Sequence, residues 1–228
     1  MSKQILVKTA LACALSLAAS AQADVLTFDG TAGADLPGAT FVASVYTYFE
    51  GSSVYQGYTF SAEAQWYAGY MNTVVFCGGV SVNCAFNGTD HLVATPMLNV
   101  RRADGNAFSL NAFDLGNTHE GEADEPAATF AVIGFRTDGT TISTTVTLDD
   151  LPNSATYGPA ASLTHFDFAG FDNLRAFDIA RITPNEWSSV TLDNLDVTAV
   201  APVPEPSAWF MMGLGLLGLA AHAKRRKA

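Results

Sequence analysis

Asp138-Gly139 stands between two runs, ATFAVIGFRT at residues 128–137 and TISTTVTL at residues 141–148. Both runs are rich in β-branched and aromatic side chains, which suit a pleated, half-buried surface. Asp-Gly supplies the left-handed backbone that a tight hairpin turn needs. The pair therefore predicts two antiparallel strands, and other segments repeat the pattern. TVVF at residues 73–76 is one of them. In LTHFDFAGF, Leu163, His165 and Asp167 fall on one side and Thr164, Phe166 and Phe168 on the other, with the aromatic pair turned inward. NLRAFDIARIT and SSVTLDNLDVTAV give two more strands, joined through the turn Pro184-Asn185-Glu186. No long helical periodicity runs between residues 24 and 203. About ten short strands punctuated by Gly, Pro, Asn and Asp predict an all-β fold, an antiparallel β-sandwich of jelly-roll-like order.

The two ends have a different character. Lys3 and Lys8 precede a small, apolar stretch at residues 9–20, and Ala21-Gln22-Ala23 spells an A-x-A cleavage site with Asp24 after it. Residues 1–23 thus read as a signal helix removed by signal peptidase. Cys13, in ALAC, does not make a lipidation site, because the apolar stretch before it is too short. At the other end, the segment 207–223 carries no Asp, Glu, Lys or Arg. As a helix it reaches roughly 25 Å, a little short of a bilayer core of about 30 Å. Trp209 marks one interface, and Lys224, Arg225, Arg226 and Lys227 mark the cytoplasmic side. A buried helix would show a polar face, and this segment has none. The tail predicts a single transmembrane helix. The order Pro204-Glu205-Pro206, apolar run, basic end resembles that of bacterial PEP-CTERM proteins, which are envelope and exopolysaccharide-associated proteins handled by exosortases. The resemblance is confined to the segment from Val203 to Ala228. It implies that Pro204, Glu205 and Pro206 are a sorting and processing site, and that the tail transiently anchors a precursor in the inner membrane whose mature form lies in the envelope or extracellular matrix. The chain divides into a signal peptide (1–23), a passenger domain (24–203) and a sorting signal (204–228).

The passenger has room for a sizeable core. It contains no lysine, and its five arginines face 21 acidic residues, for a net charge of −16. That excludes nucleic acid as a partner, since phosphate recognition needs a basic footprint. It suits a solvated exterior protein or one that attracts divalent cations. Cys77 and Cys84 bracket a short, glycine-containing loop. In an exported chain an even cysteine count points to a disulfide; a metal site would need CxxC pairs or nearby histidines, which are missing. The segments LTFDG, YQGYTF, FSLNAFDLGN and TLDNLDVTAV are similar to parts of the β-sandwich domains common among PEP-CTERM proteins. That similarity implies a carbohydrate-binding-module-like sandwich and identifies no ligand.

No nucleophile elbow, zinc helix or phosphate loop appears. His119, with Glu120, Glu122, Asp124 and Glu125, reads as an acidic loop before it reads as a cation site. If the first and last strands are neighbours, Asp29 could meet Asp193 and Asn194 around a calcium ion, the one cofactor the composition suggests. The plainer alternative makes Asp29-Gly30 a turn and Asp193-Asn194 a bulge or turn. With 21 acids, any pair could be called a glycosidase pair, so acidity selects none. Trp66 and Tyr67 would point to opposite faces of a strand, leaving one for the core and one for stacking on sugar. The expectation is an exported, non-enzymatic protein, structural or glycan-binding in exopolysaccharide. The rival is a secreted carbohydrate-active hydrolase or lyase on the same sandwich.

Overall fold

The computed structural model describes residues 23–44, 46–62, 73–78, 88–95, 97–117, 128–148, 163–182, 190–200 and 215. The hairpin around Asp138-Gly139 forms as its sequence requires. β10 (Thr129–Arg136) and β11 (Thr141–Thr147) pair antiparallel, from Thr129 opposite Thr147 to Phe135 opposite Thr141. Gly139 takes a φ of +86°. The Asp138 carboxylate accepts from the Thr140 N–H at 2.9 Å and its hydroxyl at 2.7 Å, which locks the turn. A second hairpin joins β4 (Ser52–Tyr55) to β5 (Tyr58–Ala62) through Gln56 and Gly57, both at positive φ as a two-residue primed turn demands.

Among the described residues fourteen strands pair antiparallel, and the pairing falls into two halves. The first runs β2 (Phe41–Ala43), β3 (Tyr46–Glu50), β6 (Thr73–Cys77), β7 (His91–Thr95), β14 (Val190–Ala199), β9 (Phe108–Asn117) and β12 (Thr164–Asp167). β1 (Ala23–Leu26) lies beside the C-terminal part of β14, with Ala23 opposite Thr198. The second half runs β4, β5, β8 (Met97–Arg102), β13 (Leu174–Arg181), β10 and β11. Leu174 opposite Phe108 joins the halves.

Aromatic rings bridge them. Phe28 packs on Phe60 of the second half and Phe76 of the first, with centroids 5.6 and 5.7 Å away. Phe177 meets Phe108 at 6.1 Å and Phe113 at 6.4 Å. These rings are buried with leucines and valines from both halves in one cluster. The alternating burial along β10 shows the physical origin: every second side chain faces that cluster. Truncating a ring such as Phe113 to Ala removes about 3–5 kcal/mol.

The all-β, antiparallel expectation holds, and the runs TVVF, ATFAVIGFRT, TISTTVTL, LTHFDFAGF, NLRAFDIARIT and SSVTLDNLDVTAV each overlap a strand. The number differs: fourteen strands replace about ten, because very short segments such as β1, β2 and β4 also pair. β13 and β14 do not form a hairpin but lie in opposite halves; Pro184-Asn185-Glu186 is outside the described residues. So are the expected signal helix, apart from Ala23, and most of the tail. Among the described residues no helix is long and apolar enough to cross a membrane.

Candidate functional site

Residues directly opposite in an antiparallel pair point to the same face. Following the register across the first half assembles one outward face. One row links Phe41, Tyr48, Val75, Val93, Thr191 and Gly116. The next links Tyr46, Cys77 and His91 on one side, and Asp193, Asp114 and His165 on the other. The face is apolar and aromatic toward β2 and β3, and polar toward β9 and β12.

At the apolar end Phe41, Tyr46, Tyr48, Val75, Cys77 and Val93 line an open depression of about 300 Å³. Phe41 is 60% exposed although its ring is wholly apolar, an uncommon placement for such a group on an edge strand. Glu50 follows Tyr48 by two residues, so it shares this face, and it is exposed. The Tyr48 phenol is raised above its ordinary range, first by burial and then by the negative charge of Glu50.

The polar end is a chain of hydrogen bonds. Asp193 is 2% exposed; it accepts from the Thr89 hydroxyl at 2.8 Å and the Asn194 N–H at 2.8 Å. Asn194 has a φ of +47° where the β14 register shifts, and this bulge aims its side-chain amide at Asp114, 2.6 Å away. The other Asp114 oxygen lies 2.6 Å from His165 Nδ1, and His165 Nε2 is 3.5 Å from Asp167. The Asp114 hydrogen bond, with the charges of Asp114 and Asp167, raises the His165 pKa. His91 is the opposite case. It is fully buried, its Nδ1 donates to the Thr89 carbonyl at 3.2 Å, and its Nε2 has no partner among the described residues. Burial pushes its pKa down to about 4, so the ring is neutral.

The first and last strands do pair, as the calcium expectation required, and the Asp193 carboxylate accepts from Thr89 and Asn194. Asp29 sits exposed in a turn whose Gly30 and Ala32 N–H groups donate to Asp90 at 2.9 and 3.2 Å. Asp193 holds Thr89 and its own bulge. The plainer alternatives, a turn and a bulge, are what the backbone shows. Among the described residues no group of three or more His, Cys, Asp or Glu side chains is placed to hold a metal ion. Cys77 is disulfide-bonded. Its expected partner Cys84 lies outside the described residues, as do Trp66, Tyr67, Ala21, His119 and Pro204-Glu205-Pro206. Ala23 and Asp24 open β1.

Sequence reasoning passed over Phe41, Tyr46, Tyr48 and Glu50. The signal was present in YTYFE, where alternation puts Tyr46, Tyr48 and Glu50 on one face.

No curated protein matches the chain. Among solved structures it is similar to a DUF4465 family protein from Bacteroides caccae, at 12% identity and a TM-score of 0.49, covering 78% of this chain and all of that one. It is also similar to the CBM22-1–CBM22-2 tandem domain of Xyn10C from Paenibacillus barcinonensis, at 12% identity and a TM-score of 0.32, covering 82% of this chain and 49% of that one. Residues 202–226 match the PEP-CTERM protein-sorting motif. The C-terminal segment of this chain is thus a PEP-CTERM sorting signal, which implies export as a membrane-anchored precursor and processing by an exosortase.

Proposed function

We propose that the passenger is a non-enzymatic, jelly-roll-like β-sandwich that binds exopolysaccharide in the cell envelope or matrix. The observation that carries this reading is the open depression ringed by Phe41, Tyr46 and Tyr48. Sugar rings present flat C–H faces, and aromatic side chains on a rigid sheet offer them flat apolar partners with little ordering cost. The sorting signal supports it, since an exported chain processed by an exosortase would meet polymers outside the cell. A glycan array probed with the exported protein tests the reading. Binding that weakens at least about tenfold in Phe41→Ala, which removes an exposed ring and leaves the core intact, supports it. Retention of full binding in both Phe41→Ala and Tyr48→Ala moves the site elsewhere.

The enzymatic alternative would draw on His165 and Asp114, since a carboxylate-held, exposed imidazole can shuttle protons. Release of new reducing ends from a glycan, abolished in His165→Ala, would establish it. We also take Cys84 as the partner of Cys77, which non-reducing peptide mapping decides. Intact-mass measurement on envelope material tests cleavage after Ala23 and near Pro204-Glu205-Pro206.

A further inference from the structure

The charges of the passenger are segregated by sheet half. All five of its arginines lie on strands of the second half: Arg101 and Arg102 on β8, Arg136 on β10, Arg175 and Arg181 on β13. The strands of the first half, which bear the depression, hold no lysine or arginine. They do hold Asp24, Glu50, Asp114, Asp167, Asp193 and Asp196. Nor can a lysine or a further arginine reach the depression from a connecting segment, since residues 24–203 contain none. His165, the exposed histidine of this face, sits on its far edge between Asp114 and Asp167.

We propose that the depression selects neutral sugar polymers and rejects polyuronates, with Glu50 as the discriminating side chain; the inference rests on the glycan-binding reading above. Recognition of a sugar carboxylate ordinarily uses a bidentate arginine or a lysine. Here a uronate chain would bring a carboxylate on every ring toward Glu50 and find no positive charge to answer it. Like charges a few ångströms apart at a protein surface repel by an amount worth about tenfold in binding. A neutral polymer meets the same rings without that repulsion. Tyr48 links the two effects: its ring lines the depression, and its phenol feels the Glu50 charge.

The test uses the exported protein and six probes, namely β-1,4-linked oligosaccharides of glucose, galactose and mannose, and the same three with their C6 hydroxymethyl groups oxidised to carboxylates. In low salt each neutral form should bind at least about tenfold tighter than its oxidised counterpart, and added salt should narrow the gap. Glu50→Gln should strengthen binding of the oxidised forms, and Glu50→Lys should reverse the order. Oxidised forms that bind as well as the neutral ones, or a gap that both Glu50 variants leave intact, overturn the selectivity while the glycan reading stands. Failure of all six probes to bind overturns both.

Discussion

His91 and His165 stand on one face of the sheet with only β14 and β9 between their strands, yet they respond to protons in opposite ways. His91, on β7, is fully buried and resists protonation. His165, on β12, has a side chain 59% exposed and is held by Asp114, which favours its charged form. Both follow from surroundings and neither from residue type. The centre of the face is a structural region where a polar group is buried only with donors to satisfy it, as Asp193 is by Thr89 and Asn194; its β12 edge is a wet, polar margin.

The largest expected effect comes from the buried member. An unfolded chain protonates its histidine near pH 6.5, whereas folded His91 protonates near 4. Between these values the unfolded state binds a proton that the native state refuses, so stability falls as pH drops through that window. The limit of the loss is about 3 kcal/mol. Urea melts at pH 7 and pH 4 on the native protein and on His91→Gln should show a steeper decline for the former. Equal declines would mean that His91 is not sealed from water.

Asp193 tests the centre without a histidine. Asp193→Ala leaves the Thr89 hydroxyl and the bulge N–H of Asn194 without their acceptor, at a cost of about 2 kcal/mol. An unchanged urea midpoint would show that this network adds nothing to stability.

The edge should give less. His165 is stabilised in its charged form, so its contribution is full below pH 6.5 and is lost as pH rises through its raised folded value. Solvent screening keeps that contribution to about 0.5 kcal/mol or less. Imidazole proton shifts should place the His165 pKa above 6.5 and return it toward that value in Asp114→Asn. A pKa unmoved by Asp114→Asn would dissolve the contrast between the two histidines.

Calcium should separate the regions least. Asp193 is engaged by Thr89 and its own bulge, so melts in calcium and magnesium at matched ionic strength should coincide, each slightly above chelator through relief of the −16 net charge. A calcium-specific rise that disappears in Asp29→Ala and Asp193→Ala would restore a selective site.

The β10–β11 hairpin was legible because its turn and both strands are contiguous in the chain: Asp138-Gly139 decides the register with no help from distant segments. The inward turn of Phe166 and Phe168 was legible for a similar reason, since alternation needs no partner. β7 was not. HLVAT is a short strand, and what buries His91 is its position among strands distant in sequence, opposite Cys77 on β6. The depression was half legible. YTYFE announces its shared face, but Val93 joins it only through pairing with Val75. Asp193-Asn194 carried two readings in sequence, and only the bulge geometry separates a ligand pair from a backbone device.

The sorting signal follows β14, and this has a mechanical consequence. While the tail holds the precursor in the membrane, any tug from the bilayer enters the domain at Ala199. β14 is paired with β9 at eight positions and with β1 at four, and beyond its end the Val200 N–H still donates to the Ala107 carbonyl at 3.1 Å. These hydrogen bonds lie across the direction of pull, so tension along the strand must shear many together rather than open them one by one. A tail attached to β2, a very short strand with one paired neighbour among the described residues, would peel away. The tether is fixed to an inner strand with neighbours on both sides, so force on the tail spreads through the sheet before any single bond gives way.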